Sequence, residues 1–330
     1  MKRQLLAGMA LAAAGALALA GCSNGGGDST GGADGDGAAT YRIGINQLVQ
    51  HPALDAATEG FQQALADAGL DVNYELQNAN GEQATAVTIA QSFASQDLDL
   101  VLAVATPAAQ AVAQAITETP VLFTAVTDAV SAELVDSNEA PGGNVTGTSD
   151  AAPIGDQLDL LKELVPDAKK VGIVYASGEV NSQVQVDAAE EAAPERGLEI
   201  VTKSVTTAND IQQAAEALGD VDAIYVPTDN MVVSGISSLI QVAEAKQIPV
   251  IGAESGTVEG GAVATLGIDY FKLGYQTGEM ALKILLDGAD PATMPVEVSK
   301  EFSYVVNPAA AERMGVTIPA AILEQAETVE

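Results

Sequence analysis

The sequence predicts an α/β protein with two Rossmann-like lobes, each built on a parallel sheet, and a ligand cleft between them. First, strand-like apolar runs alternate with helical patterns from Tyr41 onward, which is typical of a parallel sheet covered by helices on both faces. Second, the plan repeats: Arg42–Ile45 matches Lys170–Ile173, 128 residues further along. So long a period indicates two lobes of ordinary domain size rather than a solenoid.

The first unit contains four strand-like runs and three helical patterns. The runs are Tyr41–Ile45, Val72–Leu76, Leu100–Val104 and Pro120–Phe123, and the helical patterns are Ala53–Ala68, Glu82–Ser95 and Ala108–Thr117. Proline is favoured at the first position of a helix, so Pro52 and Pro107 mark helix starts. Thr106 is the expected cap of the helix that Pro107 begins.

The repeat extends to later strands and is followed by extra chain. Asp99–Val104 matches Asp222–Pro227, and Thr119–Leu122 matches Ile248–Ile251. The segment Ala262–Gly288, with a helical pattern over Tyr270–Leu286, exceeds what the second unit needs. The chain is therefore expected to pass between the lobes more than once. Ligands of open α/β sheets bind beyond the carboxyl ends of the strands, which places the predicted site in the cleft.

Composition excludes several classes of partner. The chain has 330 residues and is 48% hydrophobic, enough for a buried core in more than one domain. Its 45 acidic and 13 basic residues give a net charge of −32, so nucleic acid and anionic membrane surfaces are poor partners. The acidity is spread along the chain, which is typical of a solvated surface, although a saline habitat also fits.

The first forty residues predict an anchor and a tether. Lys2 and Arg3 precede an apolar stretch, so residues 1–21 are typical of a signal peptide. Leu19–Cys22 resembles the bacterial lipobox, which implies cleavage before Cys22 and lipidation of its sulfur; an ordinary signal peptide is the alternative. Residues 22–40 are rich in Gly, Ser and Asp and form the predicted flexible linker. The body would hang from the outer face of a membrane.

Polar residues follow almost every predicted strand. They include Gln47, Thr106, Asp128, Ser149, Asp150, Asn181, Asp229, Asn230 and Asp269. Each alone is an ordinary cap or turn residue. Together they combine helix starts, which carry partial positive charge, with aspartates. That pairing suits a zwitterion whose carboxylate meets a helix start and whose ammonium meets an aspartate.

Six motifs in order resemble the ABC-transporter substrate-binding lipoproteins of the tryptophan/tyrosine-binding type. They are Gln50–Asp55, Ala105–Gln110, Pro141–Gly147, Glu179 with Asn181–Ser182, Pro227–Asn230 and Gly267–Tyr270. The resemblance covers nearly the whole mature body and implies a type I periplasmic-binding-protein fold with three interlobe crossings. It implies an N-terminal lobe of residues 41–148 plus about 268–296, and a C-terminal lobe of 149–267 plus about 297–330.

The resemblance also implies a function. An aromatic amino acid or a related small molecule would bind in the cleft and pass to a membrane permease driven by a separate ATPase. By matching motif, the ligand-binding residues would be Gln47, Thr106, Asp128, Ser149, Asp150, Asn181, Asp229, Asn230 and Asp269. We expect a monomer without a cofactor or a metal.

Other functions are weighed against this one. An extracellular enzyme would need a nucleophile, a metal or a phosphate loop, and the chain has no GxxxxGK[ST], GxSxG or HExxH motif. The only histidine, His51, is predicted to be structural, at the start of the first helix that Pro52 marks, and the rim of the pocket is the alternative. His51 and Asp55 are too few ligands for a zinc site. A sensory module for a membrane receptor stays open. Without tryptophan for stacking, an aliphatic amino acid, a nucleobase-like ring or a small peptide also stays open as the ligand.

Overall fold

The two predicted lobes are present, each with its own sheet and hydrophobic core. The structure is a computed structural model that describes residues 40–299 and 301–329, which belong to one compact unit. The predicted signal peptide, Cys22 and nearly all of the linker lie outside the described residues.

The first lobe is built on a parallel sheet whose described strands run in the order β2-β1-β3-β4-β5-β11. These strands are β1 (Tyr41–Gln47), β2 (Val72–Asn78), β3 (Leu100–Val104), β4 (Val121–Val126), β5 (Val145–Ser149) and β11 (Glu297–Val298). Its helices are α1 (Pro52–Asp67), α2 (Gln83–Ala94), α3 (Thr106–Ala115) and α10 (Tyr270–Asp287). The predicted strands and helices of this lobe agree with these bounds to within about three residues.

The second lobe repeats the arrangement with the order β7-β6-β8-β9-β10-β12-β13, and among the described strands the pairing of β10 with β12 is the only antiparallel one. These strands are β6 (Lys170–Ala176), β7 (Glu199–Val205), β8 (Ala223–Val226), β9 (Val250–Gly252), β10 (Ala264–Gly267), β12 (Ser303–Val306) and β13 (Glu327–Thr328). Its helices are α4 (Ile154–Leu164), α5 (Val180–Ala192), α6 (Ile211–Ala217), α7 (Asn230–Ser234), α8 (Ile236–Lys246), α9 (Ser255–Glu259), α11 (Pro308–Arg313) and α12 (Ala320–Leu323). Strands β6 to β10 therefore occupy the places that β1 to β5 hold in the first sheet, as the repeat predicts.

The chain passes between the lobes three times: after β5, after β10 and after β11. Two of these passages differ slightly from the predicted boundaries. Ser149 still belongs to the first sheet, because it ends β5. Glu297–Val298 also pairs with β5, so the last passage comes two residues later than predicted.

Helices α1 and α10 approach each other so closely that glycine is required at the contact. A Cβ added at Gly274 would lie 1.8 Å from the carbonyl oxygen of Ala57, and one added at Gly60 would lie 2.0 Å from that of Phe271. Further along both helices, a Cβ added at Gly278 would lie 2.5 Å from the Cβ of Ala64, so the contacts from Ala57–Gly274 to Ala64–Gly278 ascend together and the helices run parallel. Both therefore begin at the same end of the lobe, where their first residues line the cleft.

Candidate functional site

A narrow cavity lies between the lobes at the carboxyl ends of the strands. Its wall consists of His51, Ala53, Leu54, Ala125 and Thr127 from the first lobe, Asn181, Thr228, Asp229, Asn230, Val233 and Glu254 from the second, and Asp150 and Tyr270 at two crossings. Its volume is about 20 Å³. That is room for a water molecule but not for an amino acid, so the walls must move apart for a ligand to enter.

Four of the nine predicted site residues meet in this wall: Asp150, Asn181, Asp229 and Asn230. Asp150 is 3% exposed. Its Oδ1 accepts a hydrogen bond from Thr127 Oγ1 at 3.0 Å, and its Oδ2 accepts one from Tyr270 Oη at 2.7 Å. Burial raises the pKa of Asp150. Both donors are side-chain hydroxyls, which can rotate toward another acceptor.

Asp229 is held differently, by the backbone. It is the N-cap of α7, where Oδ1 accepts from the N–H of Val232 at 2.8 Å, and Oδ2 accepts from the N–H of Ala176 at 2.5 Å. Burial raises its pKa too. Because both oxygens are engaged by main-chain donors on two elements, Asp229 fixes the start of α7 against the end of β6.

Glu179 connects the remaining polar residues of the second lobe. Its carboxylate accepts from the side-chain amides of Asn230 at 2.6 Å and Asn181 at 3.1 Å, and from the N–H of Met231 at 3.1 Å. Burial, and then the charge of Asp229, raise the pKa of Glu179. Asn181 and Asn230 thus reach the cavity with their orientations set by a buried carboxylate behind them.

Glu254 is a cavity residue that the sequence prediction missed. It is buried at the N-terminus of α9, where Oε2 accepts from the N–H of Gly256 at 2.8 Å. Burial raises the pKa of Glu254 to about 7. Its position two residues after β9 is the signal that could have found it.

His51 occupies the predicted helix start but also lines the cavity, which a purely structural role does not require. It is the N-cap residue of α1, makes no side-chain cap hydrogen bond, and is 9% exposed. Neither ring nitrogen has a hydrogen-bond partner. Burial lowers the pKa of His51 to about 4, against smaller opposing effects of the Asn230 side chain in the second-lobe wall and of Asp55, so the ring is neutral at pH 7.

The start of α1 continues the wall beyond His51. Ala53 and Leu54 lie in the first turn and face the same cavity. The first N–H groups of a helix have no acceptor within the helix, and they carry partial positive charge. The cavity therefore has donors at one side and carboxylates at the other.

The other five predicted residues lie outside this wall: Gln47, Thr106, Asp128, Ser149 and Asp269. Gln47 is buried beneath α1, where its amide donates to Asp55 at 2.7 Å. Thr106 is the first residue of α3 and not its cap, which corrects the expectation above. Ala105 holds the cap position with φ of 82°, a conformation that favours glycine.

Asp128 and Asp269 bond within their own turns, and Ser149 bonds to the segment that follows β4. Asp128 accepts from the N–H groups of Val130 and Ser131, each at 3.0 Å. Ser149 donates to the carbonyl of Thr127 at 2.9 Å. Asp269 caps α10 at the exposed surface. A ligand contact by any of the five stays a prediction.

Two of the contacts that join the lobes across the cleft are side-chain hydrogen bonds between described residues. Thr127 Oγ1 and Thr228 Oγ1 lie 3.4 Å apart at the cavity. Further out, the side chain of Gln83 donates to the carbonyl of Gly178 at 3.0 Å. A second cavity of about 340 Å³ lies there, lined in part by Leu48, Pro107 and Met231. Both contacts must break when the lobes separate.

The charge of the inner cavity is one-sided. Asp150, Asp229 and Glu254 line it, and no lysine or arginine of the described residues does. Within residues 40–299 and 301–329, no group of three histidine, cysteine, aspartate or glutamate side chains is placed to hold a metal ion. Buried carboxylates without a basic partner are unfavourable unless something cationic compensates them.

Comparison with known proteins identifies relatives of the whole body. A family model described as ABC transporter substrate binding protein matches residues 42–330. A tyrosine-binding protein of Clostridioides difficile (strain R20291) is 44% identical over 270 residues, which cover 80% of this chain and 78% of that protein.

Two solved structures are similar over 88% of this chain. One is the ABC domain in complex with L-Trp from Streptococcus pneumonia, with 36% identity and a TM-score of 0.85 over 100% of that chain. The other is the ligand-free, open structure of a substrate-binding protein with adhesive properties from Clostridium difficile, with 45% identity and a TM-score of 0.68 over 99% of that chain. The chain therefore belongs to the ABC transporter substrate-binding proteins, has the type I periplasmic-binding-protein fold, and works outside the cytoplasm by binding a small ligand for a membrane permease.

Proposed function

We propose that this protein is the lipid-anchored binding component of an ABC importer for an aromatic amino acid: tyrosine, tryptophan or phenylalanine. One observation carries the proposal. Among the described residues, the inner cavity collects three buried carboxyl groups, a neutral histidine, and no lysine or arginine. The ammonium group of an amino acid supplies the missing positive charge, with hydrogen bonds that are stronger than those of a neutral donor.

Asp150 is the best partner for that ammonium group. Its hydrogen bonds come from two rotatable hydroxyls, those of Thr127 and Tyr270. Asp229 and Glu254 cap helices, because each accepts a hydrogen bond from a backbone N–H group in the first turn. A ligand can therefore replace a donor to Asp150 without unfolding a helix end. Asp150 also lies at a crossing, between the lobes that a ligand joins.

The relatives support an aromatic side chain on the ligand. The tyrosine-binding protein is 44% identical, and the chain bound to L-Trp is 36% identical over its full length. Tyr270, Leu54 and Val233 give the cavity apolar surface beside its carboxylates. These surfaces can pack against an aromatic ring.

The arrangement of the lobes supports capture by closure. The L-Trp complex gives a TM-score of 0.85 at 36% identity, whereas the open, ligand-free relative gives 0.68 at 45% identity. Similarity in fold ordinarily rises with identity, so this reversal favours a closed arrangement of the lobes in this protein. Opening about the three crossings would admit the ligand.

Membrane attachment through lipid on Cys22 rests on the sequence before the body. A positive start, an apolar stretch and Leu19–Cys22 precede the linker. In the described part of the chain, no helix has the length and apolar character needed to cross a membrane. We propose a monomeric binding protein without catalytic activity, like its substrate-binding relatives.

The test is a thermal-shift panel on the globular body from Thr40 onward, freed of co-purified ligand by unfolding and refolding. A ligand at about 100 times its Kd stabilises the native state by about 2.7 kcal/mol, a shift of several degrees in Tm. We expect shifts with tyrosine, tryptophan or phenylalanine and none with leucine, adenosine or glucose. A panel without an aromatic amino-acid response would reject the proposed ligand class.

A further inference from the structure

His51 is the buried polar group whose placement the fold alone leaves unexplained. Neither of its ring nitrogens has a hydrogen-bond partner among the described residues, although the residue is only 9% exposed. A buried donor or acceptor without a partner is destabilising by roughly 1–3 kcal/mol, and most such groups are paired in folded proteins. His51 also makes no cap hydrogen bond to its helix. The ring lines the inner cavity, so a ligand there can reach it.

The surroundings of His51 decide which ligand group it would meet. Ala53 and Leu54 follow it in the first turn of α1 and line the same cavity. The N-terminus of this 16-residue helix favours negative charge. The neutral imidazole adds one N–H donor to the backbone N–H groups. The buried carboxylates Asp150, Asp229 and Glu254 would repel an anion from the remainder of the wall.

We infer that His51 and the backbone N–H groups of Ala53 and Leu54 form the subsite for the carboxylate of the bound amino acid. This inference rests on the proposed function and adds the orientation of the ligand. The carboxylate lies on the first lobe at the start of α1, and the ammonium group lies toward Asp150. The sequence predicts that the carboxylate meets a helix start, and this inference assigns that role to the start of α1.

A pair of ligand analogues separates this role from simple packing. L-Tyrosine has both charged ends, tyramine lacks the carboxylate, and 3-(4-hydroxyphenyl)propanoate lacks the ammonium group. We expect His51→Ala to weaken L-tyrosine binding by roughly 10-fold or more in calorimetry, the value of a charge-assisted hydrogen bond. Tyramine binding should change less than about twofold. His51→Phe keeps a ring in the wall but removes the nitrogens, so it should weaken L-tyrosine binding as His51→Ala does. Gln50→Ala, at the exposed neighbouring residue, is the matched control and should leave the affinity for L-tyrosine unchanged.

The single histidine also provides a direct spectroscopic readout. In a protein prepared without a histidine tag, every imidazole nitrogen signal belongs to His51. L-Tyrosine and the propanoate should shift the ring nitrogen signals, and tyramine at the same occupancy of the cleft should leave them in place. A merely structural histidine would not distinguish these ligands.

The possible failures are distinct. If the native protein binds no aromatic amino acid, the proposed function fails and the inference fails with it. If it binds L-tyrosine but His51→Ala weakens tyramine equally, or weakens neither ligand, the carboxylate subsite alone is wrong. Ring nitrogen signals that respond to tyramine in the same way as to L-tyrosine would overturn it as well.

Discussion

The two walls of the inner cavity are built from different chemistry. The first-lobe wall, with His51, Ala53 and Leu54, has no charged side chain, and its imidazole lacks partners. The second-lobe wall carries Asp229 and Glu254, each tied to backbone N–H groups at a helix start. One wall offers donors that are unused, and the other offers carboxyl groups that are already positioned.

This difference between the walls indicates how a ligand holds the lobes together. A molecule with one charged end would pair with the polar groups of one wall and leave those of the other wall without a charged partner. An amino acid can bind the donors of the first lobe through its carboxylate and the carboxylate of Asp150 through its ammonium group at the same time. Its binding free energy then depends on closure, because only the closed arrangement brings both sets within reach.

The largest effect is expected at Asp150. Asp150→Asn keeps the size of the side chain but removes the charge that faces the ammonium group. Breaking a buried ion pair by removing one partner is worth about 3–5 kcal/mol, so affinity for the amino acid should fall by roughly 100-fold or more. Calorimetry measures it, with Asp156→Asn, an exposed aspartate of the same lobe, as control. Unchanged affinity would remove Asp150 from the site.

The next largest effect is expected at the contact between α1 and α10, which holds the first-lobe wall in place. Gly274→Ala would place a Cβ 1.8 Å from the carbonyl oxygen of Ala57, where neither backbone can move freely. Overpacking of this kind lowers stability by roughly 1–3 kcal/mol, and a backbone clash belongs at the upper end. We expect a lower Tm together with weaker binding, because α1 and α10 both begin at the cavity.

Gly143→Ala is the matched change for that test, since nothing lies within 4 Å of its added Cβ and its φ is not positive. It should leave both the Tm and the affinity near those of the native protein. Equal Tm values for Gly274→Ala and Gly143→Ala would show that the helix contact is looser than described.

The charge of the second wall predicts a pH dependence. Burial raises the pKa of Glu254 from 4.5 to about 7, so the folded ligand-free protein holds this proton more tightly than the unfolded chain does. The stability that Glu254 contributes is therefore present below about pH 4.5 and is lost as the pH rises through 7. The lowered pKa of His51 acts in the opposite direction between about pH 4 and 6.5.

Glu254→Gln isolates the carboxyl group from that opposing effect. We expect its Tm to match the native value near pH 5 and to exceed it by a few degrees at pH 8, where the native carboxyl is ionised. Exposed Glu324→Gln should show no such divergence. Parallel Tm curves for Glu254→Gln and the native protein would mean that Glu254 does not titrate in this range.

The smallest effects are expected at Asp128 and Asp269. Asp128 binds two N–H groups of its own turn, and Asp269 caps α10 at the surface. Asp128→Asn and Asp269→Asn should each change amino-acid affinity by less than about twofold in calorimetry. A tenfold loss at either would restore it to the ligand-binding residues that the family motifs imply, and would require a larger movement of its loop.

Most of the fold could be predicted from the sequence because its signals are local and repeated. The five apolar residues of β3 are all buried, and the matching run in the second unit forms β8 at the equivalent place. The bounds of β11 could not be predicted as well, because a two-residue strand has no period of its own. Its place is decided by pairing with β5, over 140 residues earlier in the chain.

The site was only partly predictable for a related reason. Asp128 and Asp150 both follow strands in polar segments, and the sequence does not distinguish them. The turn after β4 directs Asp128 to its own backbone, whereas the crossing buries Asp150 against Tyr270, 120 residues away. His51 was correctly placed at a helix start, but its exposure to the cavity depends on the approach of the second lobe.

The most direct test is a crystal structure of the protein with L-tyrosine in the cleft. We expect the ammonium nitrogen within about 3 Å of an Asp150 carboxylate oxygen, and the ligand carboxylate at similar distances from His51 and the N–H groups of Ala53 and Leu54. A ligand in the reverse orientation, or one bound only in the second cavity beside Met231, would contradict the division of charge between the two walls.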